Sequence, residues 1–175
     1  MRAARLDASV YEEVEADPST MPQATAVVIL ASIAGGIGTA GVEGQPGFVI
    51  GLLVNLIGWY VWAVMTYFIG TRLLPQATTQ ADVGQLLRTL GFAAAPGIAR
   101  VLAIVPGLAA MIMLVTALWS LAAMVVAVRQ ALDYDSTARA LAVCVIGWVV
   151  QILIIMIPLF AIGSFSPSAG QMPAA

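Results

Sequence analysis

Five apolar stretches dominate this chain: residues 23–42, 48–71, 87–105, 108–128 and 139–163. A helix rises 1.5 Å per residue, so roughly 20 residues are needed to cross about 30 Å of hydrocarbon. Four of the stretches reach that length. The third is shorter and is interrupted by Pro96, Gly97 and Arg100, so it is expected to kink or to be partly re-entrant. Charged residues make up 9% of the 175 and hydrophobic ones 61%, where a globular domain carries roughly 25% charged. So few charges cannot cover a water-facing surface, and most of the chain must be solvated by lipid. The expected fold class is all-α: an integral membrane bundle of five transmembrane helices preceded by a short amphipathic helix. Residues 1–21 form a cytoplasmic or interfacial segment, 22–163 the membrane domain, and 164–175 a flexible tail.

Arginine placement orients the bundle. With the N-terminus cytoplasmic, Arg2, Arg5, Arg72, Arg88, Arg129 and Arg139 all fall inside, and the outer connections 43–47 and 106–107 carry no arginine. This agrees with the positive-inside rule. A four-span topology that omits the third stretch would put Arg129 and Arg139 outside. Five spans therefore fit best, with the C-terminus out. Pro106-Gly107 leaves room only for a tight hairpin between the third and fourth spans. Trp59, Trp62 and Tyr67 are candidate belt aromatics.

Before the first span, Leu6, Val10 and Val14 recur every four residues with Tyr11 beside them, an amphipathic helix pattern. Asp17-Pro18 should end it. Five acidic residues precede the first apolar stretch, unlike the basic start of a signal peptide. The helix is expected to lie on the membrane.

The missing residue types exclude much chemistry. There is no His and no Lys, and the single Cys144 sits in an apolar stretch as a small hydrophobe. Imidazole ligands, Schiff bases, disulfides and multi-cysteine metal sites are therefore not expected. No pair of intramembrane carboxylates and no nucleophile–base arrangement appears, so neither an enzyme activity nor a cofactor is expected. A net charge of −2 gives no case for nucleic-acid binding.

Gly36-Ile37-Gly38-Thr39-Ala40-Gly41 matches G-x-G-x-x-G. A dinucleotide site would need a preceding strand and an acidic residue about 20 positions on, and position 61 is Val. Ala31, Gly35 and Thr39, and likewise Gly36 and Ala40, are spaced by four, as small residues are where membrane helices approach closely. Arg100 is the one charge deep in a span. Its insertion costs about 2.5–3.5 kcal/mol unless it snorkels or pairs. Glu43, the one acidic residue expected outside, is the candidate partner, and Asn55 at similar depth is a second. A structural role for Arg100 competes with a functional one. Asn55, Thr66 and Gln151 suit interhelical hydrogen bonds. Between the fourth and fifth spans, Arg129, Asp133, Tyr134, Asp135 and Arg139 mark either a plain cytoplasmic turn or a partner-docking surface. In that segment either arginine could pair with either aspartate, and Asp135 or Ser136 could cap the next helix.

LLRTLGFAAAPG at 86–97, AVRQALDYDSTARA at 127–140 and YEEVEADPSTMPQA at 11–24 resemble the bacterial members of the Yip (Ypt/Rab-interacting protein) family. The resemblance implies five spans, a cytoplasmic N-terminus and a non-enzymatic role in the cell (inner or plasma) membrane. Eukaryotic relatives bind small GTPases and one another in vesicle trafficking and carry a longer cytosolic region. This chain has only about 20 residues there, so GTPase binding is not carried over. The expected function is a non-catalytic scaffold or interaction partner, embedded in the bilayer and assembling with itself or with other membrane proteins. A small channel or transporter lined by Arg100, Asn55 and Gln151 is one alternative. An accessory subunit of a larger membrane complex is another.

Overall fold

A computed structural model describes residues 2–43, 48–105 and 107–164, the side chains of 39–51, 54, 155 and 157–164 excepted. All regular elements among them are helical. A 3₁₀ turn (Ala3–Arg5) leads to α1 (Ala8–Ala16), and a second (Pro18–Thr20) leads into α2 (Met21–Glu43). Next comes α3 (Phe48–Phe68), extended by a π-helical turn (Ile69–Leu73). The helix α4 (Val83–Ala93) is followed by a ten-residue 3₁₀ helix (Ala95–Ile104), then α5 (Ala109–Ala131) and α6 (Thr137–Ser164). Among the described residues, four helical stretches are long and apolar enough to cross a membrane: Pro18–Gly38, Val83–Ile104, Ala109–Ala131 and Thr137–Ile154. The 21-residue α3 is a further apolar helix beside them.

The third stretch is longer than its hydropathy implies. A capping box starts it at Val83: Asp82 accepts from the Gln85 amide at 2.9 Å, and Gln85 accepts from the Asp82 amide at 2.6 Å. The α-helix lasts to Ala93. Pro96 has no N–H to donate, and the backbone continues with i→i+3 bonds such as Gly97 N to Ala94 O at 2.9 Å. At about 2.0 Å rise per residue, ten residues cover roughly 20 Å where an α-helix would cover about 15. Proline and the tighter helix together lengthen a stretch that looked short. At its end Gly107 adopts φ +81, a left-handed conformation that suits glycine, and the chain turns directly into α5.

Burial is uneven along the bundle. One end carries the 74–82 and 132–136 connections and is called the turn end here; the other carries the 105–108 reversal and is called the hairpin end. The core collects at the turn end: Tyr11, Leu86, Leu90, Val128, Leu132 and Val143 are all fully buried or nearly so. Toward the hairpin end α5 and α6 present Leu114, Leu118, Trp148 and Ile152 outward, each at least half exposed, as suits lipid.

The α1 helix belongs to the packed end. Asp7 caps its start by accepting from the Ser9 amide, and Asp17 before Pro18 ends it. Val10, Tyr11 and Val14 are buried against α4 and α5, so the apolar face expected to rest on lipid is covered by protein. The Tyr11 hydroxyl donates to Ala3 O at 3.0 Å, and Trp119 Nε1 of α5 donates to Ala4 O at 2.6 Å. Trp59 and Trp62 also turn inward, against Gly91 and Gly147, rather than standing in a belt.

Candidate interaction site

Where α5 ends, its last carbonyls lack helical partners and the chain must reverse. Leu132 and Asp133 close the helix with amide bonds to Val128 O and Gln130 O, and Asp133 takes a left-handed φ of +51. This sends Leu132 and Tyr134 inward and Asp133 and Asp135 outward. Leu132 sits against the backbone of Gly70, where a Cβ would collide with its methyls. The Tyr134 hydroxyl lies 2.7 Å from Leu74 O and 3.0 Å from Gly70 O. Both acceptors belong to the π-helical turn or follow it directly, where the wide i→i+5 loop is closed by Leu74 N to Ile69 O. Burial raises the Tyr134 phenol above its ordinary value, against the lowering effect of Arg139, so the group stays a donor.

The two connections are laced together. Thr78 Oγ1 donates to Asp133 O at 3.0 Å. Gln76 donates to the Asp135 carboxylate at 3.3 Å and accepts from the Asp135 amide at 3.2 Å. Arg139 donates to Pro75 O at 3.0 Å, with its guanidinium 5.9 Å from the Tyr134 ring centroid. Arg129 donates to Tyr134 O at 3.2 Å and, more weakly, to Thr137 Oγ1 at 3.4 Å. Expected pairings of Arg129 or Arg139 with Asp133 or Asp135 do not form. The carbonyls freed by the turn take the arginines, and Gln76 rather than the helix start takes the Asp135 carboxylate. Among the described residues the ion pairs are those of Arg2 with Asp7 and Glu13, at 3.1 and 3.0 Å.

Beside this turn lies an open cleft of about 450 Å3 lined by Glu12, Thr78, Arg129, Gln130, Asp133, Tyr134 and Asp135. α1 supplies Glu12, which accepts from Gln130 Nε2 at 2.6 Å. The last turn of α1 sits on Arg88, a nearly buried α4 residue at 6% exposure. Arg88 Nε donates to Val14 O at 2.8 Å, and its Nη2 donates to Glu15 O. A cation on the last carbonyls of a helix also suits the helix dipole. Glu15 is pushed up to about 7, first by burial and then by the Asp133 carboxylate; Arg88 opposes this, and Glu12 and Asp82 add to it. In the sequence Arg88 stands out only as a topogenic charge and Glu15 not at all.

The residues expected to act within the bilayer are spread over α3, the 3₁₀ helix and α6. Arg100 is half-buried, its stem against Gly35 of α2 and its guanidinium near Gly97. Asn55 is exposed on α3 and Gln151 is half-buried on α6. Thr66 is buried in α3. The pairing of Arg100 with Glu43, and the packing roles of Thr39 and Ala40, lie outside the described side chains. Ala31 is buried and faces Gly97; Gly36 is half-buried on the same helix. The tightest approach to a backbone atom is at Gly38, where a Cβ would collide with the Arg100 carbonyl; one at Gly91 would lie 2.8 Å from Ala24 Cβ. The contact stripe on α2 is thus Ala24, Ala31 and Gly38. Their seven-residue spacing is visible in the sequence but lies partly outside the spacing by four singled out there.

Residues 8–158 match the Yip1 domain family model. The chain belongs to the Yip1 domain family. The match takes in α1 as well as the membrane helices and the 132–136 turn. No curated protein and no solved structure matches significantly. With its several apolar helices, this Yip1 domain chain is a multi-pass membrane protein, in a family that is generally non-enzymatic.

Proposed function

We propose that this Yip1 domain protein is a non-catalytic partner for other membrane proteins, or for itself, with the 132–136 turn and its cleft as the contact surface. The observation that carries the reading is the lacing of Gln76 and Thr78 to Asp133 and Asp135. A plain connecting turn needs no such order, whereas a preformed surface binds without the cost of ordering it. The same contact supports a five-span topology with the N-terminus inside. The 74–82 and 132–136 connections meet, so an even number of crossings separates them, as when both Val83–Ile104 and α5 cross. With the positive-inside rule, this face is cytoplasmic in the cell membrane.

The test is photo-cross-linking in intact membranes. A photoreactive residue at Thr78 or Asp133 is expected to yield a discrete adduct that Tyr134→Ala abolishes. The same probe at Leu118, on the outward face of α5, should give only diffuse lipid adducts. Identical patterns at both places would end the reading.

A further inference from the structure

α1 is held to the bundle by its buried Val10, Tyr11 and Val14 and by a small set of polar contacts around them. Arg88 takes the carbonyls of Val14 and Glu15, Gln130 takes Glu12, and Trp119 takes Ala4 O. Beneath it lie the buried side chains of α4 and α5, including Leu86, Leu90 and Val128. The Glu15 carboxylate stands at the edge of this contact, half-buried. Every acidic group that raises it lies on an element packed around that edge: Glu12 on α1 itself, Asp82 at the start of α4, and Asp133 in the turn after α5. Arg88 of α4 is the one cation that acts on it, and its guanidinium is spent on carbonyls.

We propose that α1 is a releasable latch over the groove between α4 and α5, with Glu15 as the proton-sensitive group that sets how tightly it closes. A protonated Glu15 is tolerated among Asp133, Glu12 and Asp82. An ionised one is repelled by all three and poorly hydrated while α1 is docked. Release returns Glu15 to water and removes it from Asp133 and Asp82, at the expense of uncovering Arg88 and the apolar groove. The direction follows from the two ionisations. Released, Glu15 titrates near its ordinary 4.5; docked, it titrates at about 7. Between those values the docked form holds a proton that the released form does not. Docking is therefore tightest below about 4.5, weakens as pH rises toward about 7, and is level above that. The latch stands on the contact of α1 with α4 and α5, and through Glu12 and Asp133 it shares residues with the cleft.

The test is hydrogen–deuterium exchange of the full chain in nanodiscs, read as protection factors for residues 8–16 after correction for intrinsic exchange. From pH 5 to pH 8 the wild type is expected to lose protection roughly tenfold or more. Glu15→Gln should keep the low-pH protection throughout. Asp133→Asn should fall over a narrower range, because one of the repelling charges is gone. An equal fall in Glu15→Gln, or protection that rises with pH in the wild type, would overturn the proposal. Peptides of α6 near Ile152, which is exposed, serve as the internal reference and should not change.

Discussion

The two ends of this bundle are built by different rules. At the turn end, large side chains interlock and polar groups reach partners on other elements: Tyr134 on the π-helical carbonyls, Arg88 on the end of α1, and Gln76 on Asp135. This resembles the interior of a soluble domain. At the hairpin end, α2 lies against the 3₁₀ helix through glycine and alanine, and the large apolar side chains of α5 and α6 face outward. In lipid there is little gain from burying a leucine against another leucine, so close backbone approach becomes the means of association. The contrast teaches where specificity can reside. A surface of outward leucines presents one uniform face to lipid, while the turn end offers fixed donors, carboxylates and a shaped cleft.

The sharpest way to break the comparison is at Arg88. Arg88→Met keeps the stem but leaves the Val14 and Glu15 carbonyls without donors. A loss of about 3 kcal/mol is expected in thermal unfolding of the detergent-solubilised protein, since each hydrogen bond to a charged group contributes about 1.5–3 kcal/mol. An unchanged melting temperature would mean that α1 is an ornament and the turn end is not a packed unit. Next comes Gly38→Ala at the other end, where the new methyl meets the Arg100 carbonyl. Overpacking of this kind costs about 2 kcal/mol. A loss larger than that of Arg88→Met would reverse the ranking of the two ends. Tyr134→Phe removes one hydroxyl and is expected to cost about 1 kcal/mol, with faster amide exchange across 132–136 as its signature. Leu118→Ala, at 60% exposure, should change stability by less than about 0.5 kcal/mol. A larger change would place that side chain in a contact rather than in lipid.

The sequence made much of this legible, but unequally. Apolar stretches announce helices because lipid leaves the backbone no other way to satisfy its hydrogen bonds. Val10, Tyr11 and Val14 could be read as one helix face from their spacing alone, yet nothing in that spacing separates a face that rests on lipid from one that packs on α4. Arg88 was legible as a charge at a membrane boundary. Its real acceptors are carbonyls 74 and 73 residues earlier in the chain, and no local pattern encodes them. The 132–136 turn stood out through its aspartates and Tyr134. Its partners at 70–78 did not, because the carbonyls of Gly70, Leu74 and Pro75 leave no mark in a sequence and Gln76 and Thr78 carry no charge to single them out. The 3₁₀ continuation beyond Pro96 was visible only as an interruption, although it is what makes the third stretch long enough.

The meeting of the 74–82 and 132–136 connections is the claim on which the rest depends, and labelling of single cysteines tests it most directly. In a Cys144→Ser background, Thr78→Cys, Asp135→Cys and Leu108→Cys can be exposed to a membrane-impermeant maleimide on intact cells and again after lysis. Position 108 is expected to label on intact cells, whereas 78 and 135 label together and only after lysis. Labelling of 78 and 135 from opposite sides of the membrane would contradict it.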